Sequence, residues 1–145
     1  MAGGPRHPTA TAPTAGAALG RGLRPEARWQ FGGNVRRSPQ NVRDLGGLLS
    51  AIARPQASLF GSDAYPDLWS KAAALGQSLS RNHPLVDRNK RTAFEAMLLF
   101  LDYNGEPYTD PHPDDAVAFV LRLATGGYDD AIALAAEDLR ALLGR

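Results

Sequence analysis

Residues 81–105 read RNHPLVDRNKRTAFEAMLLFLDYNG, and this stretch joins the chain's densest polar chemistry to its longest apolar run. Arg81, Asn82, His83, Asp87, Arg88, Asn89, Lys90 and Arg91 fall within eleven positions, and Pro84 interrupts any helix arriving from upstream. From Thr92 to Asn104 the chain is apolar apart from Glu95, Asp102 and Asn104, and Gly105 stands where a left-handed helix cap belongs. The spacing predicts a helix over about 89–104. Ala93, Phe94, Ala96, Met97, Leu98, Leu99, Phe100 and Leu101 cover more than one of its faces, so other helices should surround it.

Upstream, Pro66-Asp67 opens a helix whose Leu68, Ala72, Leu75, Gly76 and Leu79 form one stripe. Continued, the stripe delivers His83 to the buried side, at the mouth of the central helix. Earlier still, Leu45, Leu48, Leu49 and Ile52 share a face predicted to be core, with Asp44 or Asn41 as cap and Arg54-Pro55 as the stop. The loop from Gln56 to Tyr65 leaves room for a small hairpin between Ser58 and Tyr65. Downstream, Asp114 and Asp115 start a helix running to Ala124. Asp129-Asp130 then open a last one that turns Ile132, Ala136, Leu139 and Leu143 inward. No segment sustains strand alternation. The expectation is an all-α bundle of five helices around the 89–104 helix.

At 145 residues the chain is sized for one domain. Residues 1 to 30 read as an extension without fixed structure and residues 31 to 145 as the domain. Within 23 to 43, Trp29, Phe31 and three arginines, Arg36, Arg37 and Arg43, offer material that can dock on the body. There is no cysteine, no apolar run near the ~20 residues of a membrane span, and no continuous hydrophobic segment of signal-peptide type, which together point to the cytoplasm. Residues 1 to 43 carry seven arginines against Glu26 alone, whereas residues 44 to 145 carry nine Lys/Arg against fourteen Asp/Glu. Four of those nine cations, Arg81, Arg88, Lys90 and Arg91, lie in the central stretch. That clustering predicts an electropositive island suited to phosphate, with no membrane partner and no direct DNA binding.

The start of the central helix supplies unpaired N–H groups and a positive dipole end, both favourable to phosphate. Lys90, Arg91 and Arg81 add charge and fork-shaped donors. A carboxylate there, Asp87, fits if Mg²⁺ bridges it to diphosphate oxygens. Imidazole accepts a proton from an attacking hydroxyl near neutral pH, so His83 is the candidate general base. Singly, each residue has a plainer reading: a helix-end histidine, a cap, a solvated basic face. Asp44, Asp67 and Asp129 read as caps only.

HPLVDRNKR followed by TAFEAMLLFLDYNG resembles the H-x-F-x-D-x-N-K-R-T motif of the Doc (death on curing) toxins of the Fic superfamily, and the resemblance extends over roughly residues 40 to 143. It implies an all-helical Fic/Doc domain, bound ATP and Mg²⁺, and transfer of a phosphate-containing group to a protein hydroxyl. For Doc members it implies phosphorylation of a threonine on the translation factor EF-Tu, and a Phd-like antitoxin acting in trans. Position by position, His83 takes the role of base, Asp87 that of metal ligand, Asn89 that of phosphate-site amide, and Lys90 and Arg91 those of catalytic phosphate ligands. Arg81 and Arg88 stand beside them. Lys90 replaces the glycine of AMP-transferring Fic enzymes, and Phe94 replaces their second arginine, which favours kinase chemistry. None of Glu26, Glu95, Glu106 and Glu137 fits the S/T-x-x-x-E-G/N pattern of a self-inhibiting Fic helix. Leu85 in place of Phe, Arg88 in place of Gly or Ala, and an unrecognisable first helix are departures that lower the expected activity. They also keep a second reading open, a catalytically silent Fic-fold binding module, beside a third, an AMP-transferring enzyme.

Overall fold

A computed structural model describes residues 42–145, which form helices α1 (Leu45–Ala53), α2 (Leu68–Asn82), α3 (Asn89–Tyr103), α4 (Pro113–Ala124) and α5 (Ile132–Leu142). The expected all-α architecture, with five helices among the described residues, is what forms. The expected division at residue 30 lies outside them. A 3₁₀ turn at Arg54–Gln56 and a two-stranded hairpin complete the set. In the hairpin Ser58 pairs with Asp63 and Leu59 with Ser62. Its turn residues Phe60 and Gly61 both have positive φ, 50° and 80°, the sense that matches strand twist in a two-residue loop.

Helix starts follow local chemistry. Asp44 accepts the Gly47 N–H at 3.0 Å and Asp67 accepts the Ser70 N–H at 2.8 Å, each satisfying a donor the helix cannot. Gly105, at φ 72°, closes α3 in the left-handed conformation that glycine adopts without penalty. Asp129 does not cap α5. That helix begins at Ile132 after Ala131, and Asp129 serves elsewhere.

Phe94, Met97 and Leu101 of α3 are fully buried with Val120 and Leu123 of α4 and Leu139 of α5, and Phe119 of α4 packs in the same cluster. Yet the helix that packs against every other one among the described residues is α2. From Trp69 to Ser80 it is buried all round except at Lys71. Its polar residues are therefore satisfied internally. Arg54 donates to the Gln77 side-chain oxygen and the Ser78 hydroxyl, both at 2.8 Å, and to the Tyr65 hydroxyl at 2.7 Å. Gly76 lets α3 approach closely, since a Cβ there would stand 2.3 Å from Met97 Sδ and 2.8 Å from its Cγ.

Helix α1 departs from expectation. Ala51 is buried and Leu48 half-buried, but Leu45, Leu49 and Ile52, read as core, are 60%, 56% and 56% exposed. A repeat of apolar residues marks a face without saying what covers it. Among the described residues no helix is long and apolar enough to cross a membrane.

Candidate active site

Between α2 and α3 the chain reverses through residues 83–88, and two non-glycine residues there are left-handed. His83 has φ 45°, ψ 50° at the end of α2, and Arg88 has φ 63°, ψ 27° at the start of α3. Each such residue costs about 1–2 kcal/mol, so the surroundings must fix the loop. Pro84 is buried, and its carbonyl accepts the N–H groups of Arg43 at 2.8 Å and Asp44 at 3.0 Å. Val42 and Leu85 form an isolated antiparallel bridge. Arg43 also donates from Nη2 to the His83 carbonyl at 2.6 Å. The residues just before α1 thus wall one side of the loop. From inside, Asn89 Oδ1 accepts the Leu85 N–H at 2.9 Å while its Nδ2 donates to the Leu85 carbonyl at 3.0 Å. One side-chain amide pairs with both polar groups of one residue.

This geometry sorts the sequence-predicted residues. His83 is exposed, not on the buried side. The left-handed turn takes the residue off the helical path, so the α2 stripe no longer predicts where it points. Asp87 is exposed, with a side chain 76% accessible, and its Oδ1 accepts the Arg88 N–H at 2.7 Å. Asn89, expected as a phosphate-site amide, uses its side chain to close the loop. Lys90 and Arg91 occupy the first turn of α3, half-buried. Because the first helical bond of α3 runs from Thr92 N–H to the Arg88 carbonyl at 2.9 Å, the N–H groups of Asn89, Lys90 and Arg91 have no acceptor within the helix.

The electropositive island is a mixed-charge cluster. Arg81 bonds the Asp129 carboxylate, Arg91 Nε donates to Glu95 Oε1 at 3.0 Å, and Arg88 Nε lies 4.0 Å from Asp87 Oδ2. Lys90 makes no ion pair among the described residues. The sequence reading missed the parts played by Arg43, Glu95 and Asp129. Glu95 was legible from its i,i+4 spacing to Arg91. Asp129 lies 48 residues from Arg81, where no local signal reaches.

No group of three or more His, Asp or Glu among the described residues could hold a metal by itself. Asp87 is a single outward carboxylate. That suits Mg²⁺, which keeps several waters and typically binds one or two carboxylates together with substrate phosphates. The residues present fit a metal that arrives with a nucleotide.

The family model of the Fic/DOC family matches residues 21–101, more than half of the chain. Toxin Doc of Mycolicibacterium smegmatis is 60% identical over 75 residues, which are 52% of this chain and 54% of that protein, so the chain spans about half the length of this relative. No solved structure matches. With that extent of match, and with the motif folded into the loop and helix start described above, the chain belongs to the Fic/DOC family.

Proposed function

We propose that this protein is a Doc-type toxin, a kinase that transfers the γ-phosphoryl group of Mg-ATP to a threonine hydroxyl of an EF-Tu-like translation factor, halting translation in the cytoplasm until a Phd-like antitoxin neutralises it. The observation that carries this reading is the locked loop, which presents His83 and Asp87 to solvent at the N-terminus of α3, beside Lys90.

The N–H groups of the first turn of α3, with the Lys90 ammonium, favour the nucleotide's phosphates. Arg91 contributes through both Nη groups, since only its Nε is engaged by Glu95. Mg²⁺, when bound, offsets phosphate charge and withdraws electron density from the phosphorus under attack. Asp87 would hold that metal. His83 takes the proton of the threonine hydroxyl as its oxygen bonds to the γ-phosphorus; the bond between the β,γ-bridging oxygen and phosphorus breaks, and ADP leaves. Accessibility of His83 matters because the acceptor is another protein, which must reach the ring from outside.

Incubation with EF-Tu, Mg²⁺ and ATP labelled separately at the γ- and α-phosphates tests the proposal. Transfer of γ label to threonine supports it. Transfer of α label replaces it with AMP transfer, which is disfavoured because Phe94, where that chemistry places a second arginine, is fully buried. No transfer leaves the silent binding module. That reading draws on Arg81 and Arg91 both being engaged by carboxylates, and on Arg88 holding a left-handed position better suited to glycine.

A further inference from the structure

Leu45, Leu49 and Ile52 recur at i, i+4 and i+7 on α1 and are 60%, 56% and 56% exposed, with Val42 41% exposed just before the helix. A nine-residue helix that turns three large aliphatic side chains to water lacks the burial that ordinarily stabilises so short an element. We propose that this stripe seats a segment of the chain itself, residues 29–35, with Trp29 and Phe31 as its anchors.

Three observations favour that occupant. The chain enters α1 from this segment, and its point of entry is pinned, because Val42 bridges Leu85 while the Arg43 and Asp44 N–H groups bond the Pro84 carbonyl. Phe31 precedes Val42 by eleven residues, a reach of up to roughly 35 Å when extended, against about 13 Å for the length of α1. Folding back across the helix is within reach, and the tether raises the effective concentration. Second, the segment and the body as a whole carry net charge of opposite sign. Arg24, Arg28, Arg36 and Arg37 flank the two aromatics with only Glu26 among them, whereas residues 44 to 145 carry fourteen Asp/Glu against nine Lys/Arg. Third, the family match begins at residue 21, so the segment lies within the matched region rather than before it. The seat adjoins the loop of the candidate site, because Val42 is bonded to that loop's Leu85.

Tryptophan fluorescence of the full chain tests this. The sequence holds two tryptophans, and Trp69 is buried at 7% exposure, so the difference between the parent and Trp29→Phe isolates the Trp29 signal. Docking predicts blue-shifted Trp29 emission and acrylamide quenching several-fold slower than for N-acetyltryptophanamide. Leu49→Lys should return both to solvent values while leaving the far-ultraviolet circular dichroism unchanged. Ile52→Gln, at an equally exposed position, gives an independent variant if Leu49→Lys does not fold. Free-indole quenching in the parent overturns the proposal. So does protection that survives both substitutions, which places the segment elsewhere, or protection that falls on dilution together with a dimer in sedimentation, which makes a second copy the occupant.

Discussion

Replacing Asn89 by alanine is expected to loosen the candidate site before it touches any chemistry. The Asn89 amide closes the 85–89 loop with two hydrogen bonds, 2.9 Å from the Leu85 N–H and 3.0 Å to the Leu85 carbonyl. Each contributes about 0.5–1.5 kcal/mol net, and losing both leaves two polar groups of a half-buried residue to find water. The loop also holds two left-handed residues, His83 and Arg88, whose strain the clamp helps to contain. We therefore expect Asn89→Ala to lower unfolding free energy by about 2 kcal/mol, read as a shift in urea midpoint at constant m-value. Asn89→Asp keeps the acceptor but sets a negative oxygen against the Leu85 carbonyl, so near-identical shape should give no rescue at neutral pH. In both variants phosphoryl transfer should fall by more than the loss of folded protein explains. A midpoint for Asn89→Ala within about 0.5 kcal/mol of the parent would show that the clamp does not hold the loop.

Other substitutions separate chemistry from scaffold. His83→Ala should leave the urea midpoint within about 0.5 kcal/mol, because the side chain is exposed, while lowering transfer at least about 10²-fold; retained transfer removes His83 as the base. Glu95→Gln releases Arg91 Nε, and should raise KM for the nucleotide about two- to five-fold with kcat little changed; an unaltered KM means that Arg91 is positioned without it. Gly76→Ala gains about 1 kcal/mol of helix propensity but drives a Cβ into fully buried Met97, so a net loss of about 1–2 kcal/mol is expected in urea, and equal or greater stability refutes the close approach. Burial and a 2.6 Å hydrogen bond to Asp138 push the Tyr128 phenol from its usual 10.0 up to about 12. Its folded form keeps a proton that the unfolded chain has lost, so stability should decline as pH rises from about 10 to about 12, and Tyr128→Phe should flatten that part of the profile.

The candidate site was legible as a set of residues because His83 to Arg91 is one continuous piece of chain, and a helix start is written in local chemistry. Asp44, Asp67 and Gly105 were legible for the same reason: a cap is satisfied by groups within a few residues of it. What each residue holds depends on elements distant in sequence. Asp129 looked like a cap because acidic residues before a helix usually are, and its partner Arg81 sits in another helix. His83 was expected inward because the α2 stripe was extended through it, but one left-handed residue ends that extrapolation. Gln77 and Ser78 lie off the same stripe. They are buried, because Arg54 and the loop around Tyr128 supply their partners from across the fold. The same limit applies to α1, whose apolar periodicity marks a face without saying what covers it, and whose Leu45, Leu49 and Ile52, read as core, are exposed. Chemistry carried on contiguous chain is therefore readable before the fold is known. The restraints that fix its geometry, the Asn89 clamp aside, come from distant chain, and on those restraints depends whether His83 and Asp87 face a substrate together.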